Sequence, residues 1–392
     1  MKKIFVSVLM FLMSILTFAA GEYHIGVVTG TVSQSEDSLR GAEEVIKKYG
    51  DAGKGGEIVH VTYPDNFMQE METTISQMTA LANDPKMKAI ILGEAVPGTV
   101  EAFRKIREKR SDIILIANAP HEDPEMIAEV SDLVTNPDSI ARGYLIVKAA
   151  HDMGAKKFMH ISFPRHLSYE LMSKRRNIMK QAATDLGMEF IEMTVPDPVS
   201  DVGVAGAQQY ILEQVPTWLK KYGKDTAFFA TNDAQTEPLL KRVAEQGGYF
   251  VEADLPSPTM GYPGALGIKF SDSEKGNWPK ILSKVESEVK KAGGADRMGT
   301  WAYSYNFTAV IALVEHAKNV IAEKSEVDDF TAVMKAFENN TPGAGWNGSK
   351  LKDSKGIERD NFFLLYQDTY VFGKGYLNMT KETVPKKYFN IK

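Results

Sequence analysis

Residues able to bind or react recur at one kind of place in this chain, directly behind short apolar runs. Thr31 and Ser33 follow the first run, Asn66 and Phe67 the second, Glu94 the third, and Asn118 and His121 the fourth. Later runs are followed by Phe163 and Arg165, and then by Asn232, Asp233 and Gln235. Amides and carboxylates supply hydrogen-bond acceptors for hydroxyl groups, while phenylalanine rings cover an apolar face. That mixture suits reversible binding of a small, neutral or weakly charged polar molecule.

Each residue also has a structural role open to it. Ser33, three residues before Glu36, has capping-box spacing, and Asn66 with Gln69 can open a helix in the same way. Asp233 can cap the helix that follows it. Arg165 can bind a carboxylate or phosphate, or pair with a nearby acid. The aromatics Trp301, Tyr303 and Tyr305 open a late helix, where core packing competes with ligand contact.

Catalytic patterns are missing or weak. The chain has no G-x-G-x-x-G behind its first apolar run, no phosphate-binding G-x-x-x-x-G-K-[ST] and no H-E-x-x-H. It has no G-x-S-x-G elbow either. The seven histidines are scattered, without metal-ligand spacing. His121 with Glu122, or Asp65 with Glu94, are the only acid–base pairs the sequence suggests. A non-enzymatic protein with no catalytic residue, metal or cofactor is expected.

The elements that must hold these residues form a repeating grammar. Tyr23 to Val28 reads as a strand, and Ser35 to Tyr49 places Leu39, Ala42, Val45 and Ile46 on one helical face. Strands at Glu57–Thr62, Lys88–Leu92 and Ile113–Ala117 alternate with helices facing inward through Ile75, Met78, Val100, Phe103 and Ile106. A short strand over Val130–Thr135 closes the set. After Asn136-Pro137-Asp138 the pattern restarts: helix Ser139–Met153, strand Lys157–Ser162, helix Ser168–Leu186, strand Met188–Met193, helix Val204–Gln214, strand Thr226–Ala230 and helix Gln235–Gln246. Continuous apolar strands joined by helices predict parallel sheets covered on both faces. The fold class expected is α/β, with two doubly wound parallel-sheet domains. Proline and glycine between Pro256 and Gly264 read as hinge, followed by helices Trp278–Lys291 and Tyr303–Glu323 and one or two strands in Phe362–Phe372.

The N-terminus carries Lys2 and Lys3, an apolar run from Ile4 to Phe18, and then Ala19-Ala20-Gly21. This reads as a secretory signal peptide cleaved after Ala19. Without the two lysines the formal charge of −5 becomes more negative by two, which argues against a nucleic-acid partner. The absence of cysteine excludes disulfides, a thiol nucleophile and a lipid-anchor cysteine. A free periplasmic location follows as the expectation.

Three segments carry a family resemblance. "YHIGVVTG" with the helix "SLRGAEEVIKKYG", the stretch "VTNPDSIARGYLIVKAAHDMGAKKFMHIS" and "FFATNDAQTEPLLKRVAEQG" resemble type I periplasmic binding proteins over most of residues 22 to 270. The segment around Ser271–Met298 and "GAGWNGSKLKDSKG" look more like the amino-acid and nucleoside branches than the sugar-binding one. The resemblance implies two lobes joined by a multi-strand hinge. It assigns the signal peptide to 1–19, the first lobe to 20–136 plus about 300–345, and the second to 137–299 plus part of 346–392. It implies a monomeric solute-binding protein that closes on a sugar or nucleoside-like ligand, or next an amino-acid-like one, and delivers it to an ABC permease in the inner membrane. The alternatives are a ligand sensor or chemoreceptor partner, or a secreted enzyme on the same scaffold.

Overall fold

The computed structural model describes residues 21–353 and 355–391; the signal peptide expected over 1–19 lies outside them. Among the described residues no helix is long and apolar enough to cross a membrane.

Fourteen strands are described: β1 (His24–Thr29), β2 (Ile58–Thr62), β3 (Met87–Leu92), β4 (Ile114–Asn118), β5 (Leu133–Pro137), β6 (Lys157–Ser162), β7 (Glu189–Thr194), β8 (Thr226–Ala230), β9 (Tyr249–Phe250), β10 (Gly299–Trp301), β11 (Trp346–Lys352), β12 (Glu358–Gln367), β13 (Thr369–Val371) and β14 (Gly375–Tyr376). The first lobe is a seven-stranded sheet in the order β11-β12-β5-β4-β3-β1-β2. All its pairings are parallel except β11 with β12. The second lobe has the order β7-β6-β8-β9, all parallel. A parallel bridge from Phe250 to Met298 carries that sheet on to β10, β13 and β14. These are doubly wound sheets, and the fold is that of periplasmic-binding-protein-like I.

The strands are buried because their side chains are apolar on both faces. Ala89, Ile90, Ile91 and Leu92 of β3 are fully shielded by helices above and below. The helix Val32–Tyr49 packs on Tyr305–Ile321. At Gly41 the two come so close that a Cβ would lie 2.9 Å from the Phe307 carbonyl oxygen. A larger residue there would force the helices apart.

Two local readings differ from expectation. The strand placed at Val130–Thr135 begins only at Leu133, because Asp123 caps a short helix, Pro124–Val130. The Asp123 carboxylate accepts from the amides of Glu125 and Met126 at 2.9 and 3.0 Å. Proline in the first turn of this helix costs it no hydrogen bond. The late strands also divide. β11 and β12 complete the first lobe's sheet, whereas β13, β14 and the turn Lys386–Asn390 lie with the second lobe. There Tyr388 stacks on Tyr144 at 4.8 Å and donates to Asp185 at 2.6 Å.

The chain passes between the lobes three times: at Pro137–Asp138, between Trp301 and Tyr305, and at Gln367–Thr369. One carboxylate ties all three passages. Glu252 accepts from Arg142 Nε at 2.7 Å, from Trp301 Nε1 at 2.9 Å and from Thr369 Oγ1 at 3.2 Å. Arg142 and Glu252 are each only 2% exposed, and the Arg142 guanidinium lies over the Trp301 ring.

Candidate functional site

In a sheet of this winding, the loops leaving neighbouring strands diverge where the strand order reverses, opening a crevice at the carboxyl ends. In the first lobe that point lies between β1 and β3, and in the second between β6 and β8. A cleft of about 190 Å³ joins them, lined by Ser35, Asp37 and Glu94 from the first lobe and by Asp233, Leu255, Pro256, Thr259 and Met260 from the second. Ser304, Tyr305 and Asn306 of the second passage complete its wall.

Glu94 is the centre of the first-lobe side. Ser35 Oγ donates to its Oε1 at 2.6 Å and Tyr63 OH to its Oε2 at 2.7 Å; Asn306 Nδ2 also donates to Oε1. Ser35 reaches it because its backbone leaves helical geometry (φ −156°, ψ 78°), so the helix Val32–Tyr49 bends in its first turn. Burial raises the Glu94 pKa against the lowering effect of these hydrogen bonds, and Asp37 nearby raises it further. Asp37 accepts from Thr259 Oγ1 at 3.1 Å, a contact from one lobe to the other. Burial raises the pKa of Asp37 too, opposed by hydroxyls including Ser304.

On the second-lobe side Asp233 sits beside Asp254, and its Oδ1 is enclosed without a hydrogen-bond partner. Burial first, then Asp254 and Glu94, push its pKa well above the usual carboxylate range. Arg175 does not relieve it, because its guanidinium pairs with Asp254 and stacks on Phe229. The lining therefore brings four acids together, Glu36, Asp37, Glu94 and Asp233, of which Glu36 is paired with Arg40 outside the cleft, and includes no lysine, arginine or histidine.

Of the residues expected from sequence, Glu94 and Asp233 line this cleft. The others take different places. Thr31, not Ser33, caps the first helix, accepting from the Ser33 amide at 3.2 Å, and Thr31 also donates to Asp65. Ser33 is exposed, and its expected box partner Glu36 pairs with Arg40 at 3.0 Å. Asn66 is exposed in a turn, and the helix Met71–Ala80 starts behind Glu70 with no side-chain cap. Asn118 is buried and satisfied internally. It donates to the Gly93 carbonyl at 2.7 Å and accepts from Thr135 and Tyr305 hydroxyls, both at 2.8 Å.

Asn232 caps a short 3₁₀ turn through the Ala234 amide at 3.0 Å. Gln235 is buried and donates to the Pro196 carbonyl at 3.0 Å. Phe67 packs edge-on against Tyr63 and lies against His121. His121 is exposed, and crowding by surrounding protein, then His166 and Arg165 of the other lobe, lower its imidazole pKa. Arg165 is held by Asp197 in a two-pronged pair at 2.7 and 2.9 Å, above the buried Phe163 ring.

Sequence reasoning passed over Ser35, Asp37, Thr259, Ser304 and Asn306. Asn306 stood next to the noted Tyr305, in a helix otherwise apolar at its start. A lone amide there was the available signal.

Two α/β lobes around an acceptor-rich cleft, joined by three passages, define a two-lobed protein of the periplasmic-binding-protein-like I fold. The chain belongs to the family described as protein of unknown function, DUF3798, whose model matches residues 23–299. An uncharacterized protein of Treponema pallidum (strain Nichols) is 39% identical over 212 residues, covering 54% of this chain and 95% of its own length. Among solved structures, a Clostridium difficile 630 protein assigned as a transcriptional regulator superposes with a TM-score of 0.75 at 24% identity, covering 90% of this chain and 99% of its own. A sugar ABC transporter protein from Actinomyces odontolyticus ATCC 17982 gives 0.53 at 10% identity, covering 94% and 99%. At these identities the two structural likenesses are likenesses of fold.

Proposed function

We propose that this chain is an extracytoplasmic binding protein that captures a small polar molecule between its lobes, changes it in no way, and hands it to an ABC permease. The observation that carries this reading is the cleft, whose wall is drawn from both lobes and from the hinge passage between them. A ligand held there touches both lobes at once, so its binding free energy favours the closed arrangement over an open one. Sugar-like or nucleoside-like molecules fit best, because their hydroxyls donate to the acceptors that line the cleft. An amino-acid-like ligand is less favoured, because Arg165, the expected carboxylate binder, is committed to Asp197.

The reading places the protein in the periplasm, as a monomer with no cofactor. Native mass spectrometry of the purified mature protein, followed by a thermal-shift screen of sugars, nucleosides, vitamins and amino acids, tests it. A ligand at a hundred times its Kd adds about 2.7 kcal/mol to stability and is expected to reduce the radius of gyration in small-angle scattering. A broad library that shifts no melting temperature would sink the clamp reading.

A further inference from the structure

The hydrogen-bonding capacity of the cleft is one-sided. Its hydroxyl and amide donors are already spent: Ser35 and Asn306 Nδ2 on Glu94, Thr259 and Ser304 on Asp37, Tyr305 on Asn118, and Gln34 on the Asp65 carbonyl. What remains toward the cleft is acceptor capacity. Asn306 is only 6% exposed and lines the wall, yet its Oδ1 has no partner. Because Nδ2 must face the Glu94 carboxylate, the amide cannot be turned to offer a donor instead. Asp233 Oδ1 is likewise buried and unpartnered. These are two unpartnered polar oxygens from two different elements, among acids that no cation in the lining balances and that burial holds toward the protonated form.

The surrounding cations are spoken for. Arg142 is paired with Glu252, Arg175 with Asp254 and Arg165 with Asp197. A ligand bearing a carboxylate or phosphate would therefore meet like charge and find no donor. A neutral polyol would satisfy some acceptors but leave the acids without a cation. A compact metal ion does not fit the spacing, since among the described residues no group of three His, Asp or Glu side chains is placed to hold one. The rest of the wall, Leu255, Pro256, Met260 and Tyr305, suits a short carbon body.

From this arrangement we infer that the captured molecule carries at least one protonated amine, which sits among Glu94, Asp37 and Asp233 with Asn306 Oδ1 accepting a further N–H. An ammonium presents three donors and no acceptor, the complement of this lining. The inference rests on the interlobe-capture reading and narrows its ligand to small polar molecules with a cationic amine, an amino sugar or an aliphatic diamine among them.

The test uses matched pairs that differ in the amine, with the whole mature protein: glucosamine with glucose, putrescine with 1,4-butanediol, and ethanolamine with ethylene glycol. Calcium chloride serves as a separate probe. Amine members are expected to raise the melting temperature where their neutral partners do not. Asp233→Asn is expected to fold, since it keeps the shape of a side chain that burial already holds toward the neutral form, and to weaken amine binding at least tenfold by titration calorimetry. Glu94→Gln provides a second variant with the same expectation. Stabilisation by sugars or nucleosides but by no amine, by calcium ion alone, or undiminished amine binding in Asp233→Asn would each overturn the amine inference while leaving capture between lobes intact. If neither amines nor neutral compounds shift the protein, capture itself fails and the inference falls with it.

Discussion

At the scale of single residues, the acids of the cleft make stability depend on pH in the direction opposite to an ordinary salt-bridged carboxylate. Asp37, Glu94 and Asp233 all have folded pKa values raised, with burial the leading cause. Between the unfolded value of roughly 4 and the raised folded value, the folded chain holds the extra proton. The contribution is thus fully present below about pH 4 and is lost as pH rises through the folded values. Ligand-free protein is expected to melt at a higher temperature at pH 5.5 than at pH 8, and Asp233→Asn to flatten that dependence. Calorimetric melting across the range checks both statements. Glu94 and Asp233 could be found in the sequence because each is an acid directly behind an apolar run, at the strand ends where the cleft opens. Asn118 also stands behind an apolar run, but outside the cleft lining. Its type suggested a ligand, but the Gly93 carbonyl and the Thr135 and Tyr305 hydroxyls that satisfy it lie on other elements, and no spacing rule reveals them.

Elements were legible where their own ends are written in the chain. The helix Trp278–Lys291 ran as expected, with Asn277 accepting from the Lys280 amide, Pro279 in its first turn and Lys290 and Lys291 at its negative end. The strand expected at Val130 failed because the Asp123-Pro124 start of a competing helix was overlooked. Caps also matter at the hinge. Asp138 follows the first passage directly and accepts from the amides of Ile140 and Ala141 at 2.9 and 2.8 Å. Asp138→Ala is expected to cost about 1 kcal/mol, the usual value of such a cap. Burial pushes the Asp138 carboxyl up to about 6, so Asp138→Asn, which keeps an acceptor without the charge, is expected to be no less stable than the native protein at pH 8. Urea unfolding of the two variants side by side separates capping from charge.

For the whole molecule, the paired lobes were legible because apolar strands and amphipathic helices repeat over long stretches. The late strands were not, since a segment such as "NFFLLYQ" fits either sheet and only β5's free edge decides between them. The buried pair of Arg142 with Glu252 binds the passages into one unit. Arg142→Ala would leave Glu252 enclosed without its cation, a loss of about 3–5 kcal/mol, and is expected to broaden the range of lobe separations seen by small-angle scattering. The placement of β12 beside β5 has a further consequence, for the way the molecule is made. Synthesis runs from the N-terminus, yet the sheet begun by β1 gains its last two strands only after the other lobe's four-stranded sheet has been produced. Throughout that interval β5 offers an unpaired edge, and for most of it the helix Val32–Tyr49 lacks the partner helix Tyr305–Ile321. The first lobe therefore stays unfinished until β12 emerges from the ribosome, a delay that would suit the export proposed for this chain.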